Sequence, residues 1–301
     1  MIKNNSMRIF ITGGAGFIGI HLCKKLALLH KVTVYDNFSN SNKEDFPTLS
    51  NVTLLVGDIL NKSKLLDSMK NHDVVIHLAA KTDVIDSIHN PDDTFQTNVH
   101  GTQNVLDSCV SNNITKFIVT SSAAIYKNSN TVISESSDTG PSSPYGQSKL
   151  DMEKIIISSK LNYSILRLFN VYGCEQNNGV IANFRKNILE NKPLTVFGVG
   201  KAIRDFIYID DVIDGLILSI KSTSGIYNIA SGNATSIGDL AKLLIRLSET
   251  NSEIIHKSTR KGEIIYSVAN IDKSNKELGF YPKISLDVGL KTMIFKKTHY
   301  V

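Results

Sequence analysis

Residues 12–19 read TGGAGFIG, directly after the apolar run MRIFI at 7–11 and at the start of a helix-compatible segment. Its glycines include Gly13, Gly16 and Gly19, at regular intervals of three. A chain leaving a strand here must turn sharply, bring its backbone close to a ligand and pack the next helix against the strand. The free N–H groups at the helix N-terminus favour an anion such as a pyrophosphate. The segment predicts a dinucleotide-binding turn, with a plain tight strand–helix turn as the alternative.

Short apolar runs alternate with helix-compatible segments on both sides of this turn. Strands are predicted at 7–12, 31–35, 52–56, 73–77, 115–120 and 162–168, and helices at 16–29, 61–69, 91–111 and 144–158. This alternation is typical of βαβ units around a parallel sheet. Strands such as DVVIHLA are apolar almost throughout, as expected where helices cover both faces. The sequence predicts an α/β fold with a Rossmann-type doubly wound parallel sheet.

From about residue 172 the alternation loosens. Helices are predicted at 180–190, 210–221, 236–247 and 285–297, short strands at 194–197, 204–209 and 225–229, and a loop over the polar stretch 127–143. We expect residues 1–171 to form a dinucleotide-binding domain and residues 172–301 a smaller substrate-binding lobe. Part of 204–230 is expected to return to the first domain.

The composition of the 301 residues narrows the class of partner. The net charge is +5, and the 33 basic residues form no run of five or more, so a nucleic-acid surface is not indicated. Cys23, Cys109 and Cys174 form no Cys-x-x-Cys pair, and the eight histidines form no His-x-x-x-His pair, so neither a disulfide framework nor a metal site is predicted. No run approaches the ~20 apolar residues of a membrane helix. We expect a cytoplasmic protein that acts on a small molecule.

Acidic residues close the second and third predicted strands. Asp36 ends KVTVYD, where a carboxylate accepts hydrogen bonds from an adenosine ribose. Asn37 follows it in place of Arg or Lys, which favours NAD over NADP. Asp58 and Ile59 follow the third strand, near the expected adenine, although Asp58 alone is equally typical of a helix N-cap. The small residues of HLAA at 77–80 suit a close cofactor or plain strand packing.

Tyr145 and Lys149 form a Tyr-x-x-x-Lys motif at the start of a predicted helix. The spacing puts both side chains on one helix face. A neighbouring ammonium favours the phenolate, so we expect it to lower the pKa of Tyr145 from its ordinary value near ~10. Such a phenolate can remove a proton from a sugar hydroxyl while hydride leaves the same carbon. By itself the motif is more typical of a surface aromatic–cation pair, because the spacing is common, and it is the glycine-rich turn and the serines at 121–122 that favour a catalytic role.

The fifth predicted strand ends in TSSAAIY at 120–126. Ligands of parallel sheets bind at the carboxyl ends of the strands. Ser122 is therefore the candidate to hydrogen-bond the reacting oxygen, and Ser121 is the second candidate.

Together these residues resemble the extended short-chain dehydrogenase/reductase superfamily, in its NAD-dependent epimerase/dehydratase branch, and most closely UDP-glucose 4-epimerase-like enzymes. The matching motifs run in order through nearly the whole chain: TGGAGFIG (12–19), DN (36–37), DI (58–59), HLAA (77–80), TNVHGT with Asn98, SSAAIY (121–126), YGQSK (145–149), LRLFNVYG (166–173), PLTVFG (193–198), RDFIYIDDV (204–212), RKGE (260–263) and KELGF (276–280).

The resemblance implies a role for each matched residue. NAD would be lined by Gly13, Gly16, Phe17, Ile18, Gly19, Asp36, Asn37, Asp58, Ile59, Leu78, Ala79, Ala80, Asn98, Ser121, Tyr145 and Lys149. The UDP-sugar would be bound by Ser122, Asn170, Val196, Phe197, Arg204, Arg260, Glu263 and Ser267. Of these, the two arginines would grip the diphosphate, a task that suits a planar and permanently charged fork.

Three departures from the family pattern bear on the reaction. Ala123 and Ala124 stand where family dehydratases carry Asp and Glu, and UDP-glucuronate decarboxylases also carry Glu at the second position. Lys127 replaces a frequent Gly, and RKGE at 260–263 replaces the usual RPGD. Ser267 aligns with a position where a large Tyr restricts the pocket of epimerases selective for unsubstituted hexoses, so its small side chain resembles enzymes that accept N-acetylhexosamines.

The resemblance thus implies inversion at C4 of a UDP-hexose or UDP-N-acetylhexosamine through a transient 4-keto sugar, with Ser122, Tyr145 and Lys149 as catalytic residues. Alternatives of the same fold are an NDP-sugar reductase, dehydrogenase or dehydratase, and a non-catalytic dinucleotide sensor. Family members often dimerise through a four-helix bundle, so a homodimer built from segments 91–111 and 144–158 is expected.

Overall fold

The computed structural model describes residues 6–259 and 264–295. The strands are β1 (Arg8–Thr12), β2 (Lys31–Asp36), β3 (Val52–Val56), β4 (Val74–His77), β5 (Lys116–Ser122), β6 (Tyr163–Leu168), β7 (Asn170–Tyr172), β8 (Leu194–Phe197), β9 (Ile203–Arg204), β10 (Phe206–Tyr208), β11 (Gly225–Ile229), β12 (Thr235–Ser236), β13 (Ile254–Lys257) and β14 (Tyr266–Ser267).

The α-helices are α1 (Phe17–Leu26), α2 (Lys62–Ser68), α3 (Val84–His89), α4 (Pro91–Phe95), α5 (Thr102–Ser111), α6 (Pro144–Ile157), α7 (Val180–Leu189), α8 (Ile209–Ser219), α9 (Ile237–Ser248), α10 (Asp272–Leu278) and α11 (Leu286–Phe295). A π-helical turn (Gln96–Gly101) joins α4 to α5.

A seven-stranded sheet in the order β11-β6-β5-β4-β1-β2-β3 confirms the predicted Rossmann-type α/β fold. β1 pairs in parallel with both β2 and β4, which is the reversal of strand order expected of a doubly wound sheet. In this register the carboxyl ends of neighbouring strands, such as Thr12 and His77, lie side by side. The loops after β1, β2, β4 and β5 therefore start from one edge of the sheet, where a ligand is expected.

The apolar strands are buried as their composition predicts. All four residues of β4 are buried, and Ile9, Phe10 and Ile11 of β1 have no exposed surface. On one face of the sheet, Phe10 and Phe117 belong to a core cluster that also contains residues of α2, α5 and α6. Burying such side chains stabilises the fold by about 1.5–3 kcal/mol each.

The predicted helical segment 91–111 is confirmed, since all of its residues are helical, but it is not one uniform α-helix. It is divided into α4, the π-helical turn and α5, and it is preceded by a short helix, α3, that the sequence did not predict. Pro91 begins α4, and Asp83 caps α3 by accepting from Ile85 N and Asp86 N. Because α3 has six residues and exposes Val84 and Ile85, it carries no helical apolar pattern. The predicted strand 204–209 is likewise divided, into β9 and β10.

The chain divides into two compact units. Of the described residues, the first unit contains 6–127, 138–167 and 213–227, and the second contains 128–137, 168–212, 228–259 and 264–295. The second unit holds two- and three-stranded sheets, β10-β7, β12-β9-β14 and β13-β8. The assignment of cofactor to one domain and substrate to the other stays a prediction.

Two further findings concern the cysteines and the helices that could cross a membrane. Cys23, Cys109 and Cys174 are free and buried. Over residues 6–259 and 264–295, no helix has both the length and the apolar character needed to cross a membrane.

Candidate cofactor and catalytic site

The glycine-rich turn after β1 has the geometry that a close backbone approach requires. Gly13 has a φ of +69°, and a Cβ there would lie 2.4 Å from the Ala79 backbone nitrogen. A Cβ on Gly19 would lie 2.5 Å from the Gly14 Cα, so α1 packs directly on the turn. Only glycine fits both positions without displacing backbone.

The N-terminus of α1 is free to bind an anion. Gly16 is its N-cap and, having no side chain, makes no capping hydrogen bond within the described chain. Phe17 and Ile18 follow in the first turn, where N–H groups have no acceptor inside the helix. These N–H groups and the helix dipole fit the pyrophosphate of a dinucleotide.

Asp36 binds the glycine-rich turn and starts the next loop. Its Oδ2 accepts from Ala15 N at 2.9 Å, and its Oδ1 accepts from Phe38 N at 2.8 Å. Asn37 Nδ2 donates to Asp58 Oδ2 at 2.9 Å, so the ends of β2 and β3 are joined. A carboxylate oxygen accepts more than one hydrogen bond, so Asp36 retains capacity for a ribose hydroxyl.

The predicted alternative role of Asp58 as a helix cap is not seen. The N-cap of α2 is Asn61, whose side chain accepts from Lys64 N. Asp58 Oδ1 instead accepts from Leu60 N at 2.8 Å. Ile59 is buried, and a Cβ on Gly101 would lie 2.4 Å from its Cδ1.

The HLAA segment continues the ligand edge at the end of β4. Leu78 N donates to Thr12 O at 2.9 Å, and Ala79 and Ala80 follow it. Asn98 is fully buried in the π-helical turn. Its Oδ1 accepts from Lys81 N at 2.8 Å and its Nδ2 donates to Lys81 O at 2.9 Å, so its amide fixes the loop after HLAA.

Ser122 and Tyr145 lie close together where β5 meets α6. Ser122 ends β5, Tyr145 lies in the first turn of α6, and the Ser122 hydroxyl is near enough to the phenol to lower its pKa. Ser122 Oγ also accepts from Ala124 N at 3.1 Å, which fixes the direction of the hydroxyl. A Cβ on Gly146 would lie 2.4 Å from Ala124 O, so α6 packs closely on the end of β5.

The predicted direction of the Tyr145 pKa shift is wrong for the protein by itself. Burial raises the pKa of Tyr145, and the hydrogen bond with Ser122 opposes this only in part. Burial also lowers the pKa of Lys149 to about 8, while the charge of Glu153 acts to raise it. Burial therefore has the largest influence on the pKa of Tyr145, and the group that opposes it is the Ser122 hydroxyl rather than the Lys149 ammonium.

Two polar groups at the end of β5 retain hydrogen-bonding capacity. Lys149 Nζ donates to Thr120 O at 3.0 Å. Ser121 Oγ is buried and has no hydrogen-bond partner among the described residues. An unpartnered buried hydroxyl costs about 1–3 kcal/mol, so a ligand atom that bonds it gains that energy. Together with the free end of α1 and Asp36, this orphan hydroxyl fits a bound dinucleotide.

A buried ion pair behind Lys149 was missed by sequence reasoning. Arg167 Nη2 lies 2.7 Å from Glu153 Oε2, with the two side chains 6% and 1% exposed. Arg167 Nη1 donates to Tyr126 Oη at 2.9 Å. Glu153 is one helical turn beyond Lys149, and this i,i+4 position is the signal that would have identified it.

Three predicted substrate residues lie around Asp205 in the second unit. Asn170 Nδ2 donates to Asp205 O at 3.0 Å, and Arg204 is paired with Ser267 across β9 and β14. The Asp205 carboxylate is fully buried and accepts from Ser231 N, Gly232 N and Ala269 N. Asp205 is thus the anchor that holds Arg204 in place, a role the sequence did not reveal.

The other predicted substrate residues are less closely grouped. Val196 and Phe197 lie on β8, which pairs with β13, and Val196 has no exposed surface. Arg260 and Glu263 lie outside the described residues.

The comparisons with known proteins agree with this geometry. Residues 9–230 match the model of the NAD dependent epimerase/dehydratase family. NAD is the cofactor that the family description names, which confirms the cofactor predicted from the sequence.

Relatives cover almost the whole chain. A putative UDP-glucose 4-epimerase of Methanocaldococcus jannaschii is 34% identical, over 95% of this chain and 97% of its own length. A UDP-N-acetyl-alpha-D-glucosaminuronate decarboxylase of Bacillus cytotoxicus is 31% identical, over 95% and 96%. Among solved structures, a UDP-glucuronic acid 4-epimerase mutant from Bacillus cereus, in complex with NAD and a fluorinated UDP-glucuronic acid, has a TM-score of 0.91 and 30% identity, over 96% and 98%.

Proposed function

Because the chain belongs to the NAD dependent epimerase/dehydratase family, we propose that it interconverts the C4 epimers of a UDP-hexose or UDP-N-acetylhexosamine through a transient 4-keto sugar. The observation that carries the proposal is the placement of Ser122 at the end of β5 beside Tyr145, with Lys149 one turn further along α6 and no acidic residue at positions 123 and 124.

In the proposed reaction Tyr145 takes the proton of the C4 hydroxyl, and Ser122 hydrogen-bonds the same oxygen. When bound, NAD supplies the acceptor and donor of the C4 hydride, together with a cationic ring that favours the phenolate. Lys149 adds positive charge on the same side, and the burial of Tyr145 excludes water from the proton transfer. The 4-keto sugar turns in the pocket, and Tyr145 returns the proton to the oxygen.

The residues around Asp205 are proposed to bind the nucleotide part of the substrate. Arg204 suits a diphosphate because its guanidinium is planar and permanently charged. Asn170 and Ser267 complete the contacts to the UDP-sugar, along with Phe197, Arg260 and Glu263, and the buried Val196 supports Phe197 from the same strand. The buried Asp205 supports this role because it directly follows Arg204 and its carboxylate accepts from the backbone N–H groups of Ser231, Gly232 and Ala269.

The absence of a carboxylate after Ser122 favours epimerisation over its rivals. Elimination and decarboxylation by family members use an acidic group where this chain has Ala123 and Ala124. A relative that is a decarboxylase nevertheless makes a carboxylated UDP-sugar the necessary competing substrate.

The experiment is incubation of the purified protein with UDP-glucose and with UDP-N-acetylglucosamine, without added NAD. We expect the C4 epimer to form with no net change in absorbance at the NADH wavelength. Stoichiometric oxidation or reduction of cofactor would indicate a reductase or dehydrogenase. Release of carbon dioxide from a UDP-uronic acid would indicate a decarboxylase.

The control is a matched pair of tyrosine variants. Tyr145→Phe is expected to reduce kcat by about 10²- to 10⁴-fold, as for the loss of a general base. Tyr163→Phe removes a partly buried hydroxyl from the start of β6, at the opposite end of the strands, and is expected to leave kcat unchanged.

We further propose that the protein is a homodimer joined through the segments 91–111 and 144–157. Phe95, Val99 and Leu150 on these segments are apolar and only partly buried. Light scattering is expected to give twice the chain mass, and Leu150→Asp to give the single chain. A single-chain mass for the unmodified protein would refute the dimer. The cytoplasmic location stays a prediction.

A further inference from the structure

The main chain of Tyr145 lies where a helix leaves its N–H groups without internal acceptors. Pro144, the first residue of α6, has no N–H. Ser143 caps the helix: its Oγ accepts from Gly146 N at 3.1 Å, and its carbonyl oxygen accepts from Gln147 N at 2.9 Å. The Tyr145 N–H is therefore the group of this first turn that needs an acceptor from another element.

Ser87 on α3 provides that acceptor. Its Oγ lies 3.1 Å from Tyr145 N, and the residue has no exposed surface. The same hydroxyl donates its proton to Val84 O at 2.7 Å. Because a hydroxyl has one proton, this bond leaves the Oγ as an acceptor toward Tyr145.

The carbonyl group of Tyr145 is held by a second side chain. Ser148 Oγ donates to Tyr145 O at 2.8 Å and accepts from Asn98 Nδ2 at 2.9 Å. Asn98 and Ser148 have no exposed surface, and the Asn98 amide is also bonded to both backbone polar groups of Lys81. A movement of Ser148 would thus break buried hydrogen bonds, which restrains the Tyr145 carbonyl.

We propose that Ser87 and the Asn98–Ser148 pair are positioning residues that hold the main chain of Tyr145 from both sides and thereby fix its phenol against Ser122. The inference rests on the proposed function for the reaction that Tyr145 performs. Ser87 and Asn98 both lie in the segment that follows β4. The part of the chain that borders the proposed cofactor site therefore also sets the position of Tyr145. A displacement of about 1 Å at a reacting group is enough to reduce the rate about 10²-fold.

The test compares Ser87→Ala, Ser148→Ala and the double variant with Ser108→Ala. Ser108 on α5 is equally buried and donates to Asn104 O at 2.8 Å, so its replacement removes the same kind of hydroxyl without a bond to Tyr145. The first readout needs no substrate: it is the ultraviolet absorbance of the Tyr145 phenolate in NAD-loaded protein. Each variant is titrated with base, and so is the same variant carrying Tyr145→Phe. The difference between the two absorbance curves is the signal of Tyr145 alone.

We expect the midpoint of this titration to move to higher pH in Ser87→Ala and Ser148→Ala, and not in Ser108→Ala. The hydrogen bond with Ser122 lowers the pKa of Tyr145, so a loosened phenol loses that effect. We also expect each single variant to lose about 10- to 100-fold in kcat with KM within about twofold. The double variant should lose less than the product of the two, because both hydroxyls act through one residue.

An unchanged midpoint with kcat equal to that of Ser108→Ala would overturn the proposal. Where an alanine variant does not fold, the threonine variant at the same position (Ser87→Thr or Ser148→Thr), which keeps the hydroxyl, takes its place in the comparison. A normal midpoint together with a normal kcat supports the proposal. A loss of kcat at a normal midpoint overturns it. The titration separates this inference from the proposed function, since it reports on Tyr145 even if no UDP-hexose is epimerised.

Discussion

A buried lysine side chain lies at each end of strand β5, and the two lysines differ in the number of hydrogen bonds that their ammonium groups donate. Lys116 starts the strand, and Lys149 of α6 reaches its other end. Both are 3% exposed, and burial lowers the pKa of each to about 8. Lys116 Nζ donates to four oxygen atoms, contributed by Asn162, Ser222 and Thr223.

Within the described chain, Lys149 Nζ donates to a single oxygen atom, that of Thr120, and the adjacent Ser121 hydroxyl is unpartnered. The same chemical group, on two residues with the same exposed fraction, is thus saturated at one end of the strand and unsaturated at the other. Because buried polar groups are normally satisfied, the unsaturated end is the one shaped for a ligand. The saturated end serves the fold.

The largest expected effect is on the rate, from Lys149→Met. The variant removes the ammonium that supports the Tyr145 phenolate, and we expect kcat to fall about 10³-fold. We expect the free energy of unfolding to stay the same or rise, because one buried and incompletely bonded charge is lost. Turnover and urea denaturation measure the two quantities. A fall in kcat below about tenfold would show that the two ends of β5 do not differ in function.

The second prediction concerns Glu153, the charged neighbour that Lys149 has and Lys116 lacks. Glu153→Gln leaves the guanidinium of Arg167 buried without its carboxylate, so we expect a loss of about 3 kcal/mol in the free energy of unfolding. Since the Glu153 charge raises the pKa of Lys149, its removal should also shift the basic limb of the kcat–pH profile to lower pH.

Asp151→Asn on the same helix is the matched control. Asp151 pairs with Lys154 at 2.8 Å on the exposed face, where an ion pair contributes about 0.3–0.5 kcal/mol. Equal losses in the two variants would contradict the assignment of the buried pair as a structural support.

The third prediction concerns Lys116, where we expect the opposite result to that for Lys149: a loss of stability with little change in kcat. Lys116→Met leaves the oxygen atoms of Asn162, Ser222 and Thr223 without their shared donor, and we expect a loss of about 2 kcal/mol in unfolding free energy. The kcat is expected to remain within about twofold, because the residue lies at the amino edge of the sheet. A large loss of kcat with unchanged stability would refute the structural role.

The contrast between the two lysines also shows what the sequence was able to predict. The glycine-rich turn, Asp36 and the Tyr145–Lys149 spacing are local patterns, so they indicated the fold and the cofactor before any contact was known. Lys116 and Arg167 did not stand out, because their partners lie 106 and 14 residues away. Long-range pairing of this kind follows from the folded chain rather than from spacing.

The sign of the Tyr145 pKa shift failed for a related reason. Helical spacing indicates how far apart two charges lie but not how deeply each is buried, and burial has the stronger influence on the pKa of Tyr145. Ser87 was not predicted for the same reason, since its hydrogen bond to Tyr145 joins two helices whose bonded residues are 58 positions apart in the sequence. What a local pattern lacks is the dielectric environment and the nonlocal hydrogen-bond partner.

The smallest expected effect is on the pH dependence of stability, and it concerns His77 at the end of β4, on the same edge of the sheet as Lys149. Its ring lies 2.6 Å from Thr12 Oγ1 and 2.8 Å from Thr102 Oγ1, and burial together with the charge of Lys149 lowers its pKa to about 3. The unfolded chain therefore takes up a proton below pH ~6.5 that the folded chain does not, so the stabilisation present above that pH is lost as pH falls toward 3. Between pH ~7.5 and ~5.5 the loss is about 1.4 kcal/mol.

We expect His77→Gln to reduce by that amount the difference between urea-denaturation free energies at the two pH values, and His89→Gln, at an exposed position on α3, to leave the difference unchanged. The same measurement in the lysine variants decides the comparison. Removal of the Lys149 charge raises the pKa of His77, so the loss of stability should level off at a higher pH in Lys149→Met than in Lys116→Met when the measurement is extended toward pH ~3. If the loss levels off at the same pH in both variants, the Lys149 charge does not reach His77, and the electrostatic distinction drawn between the two ends of β5 is wrong.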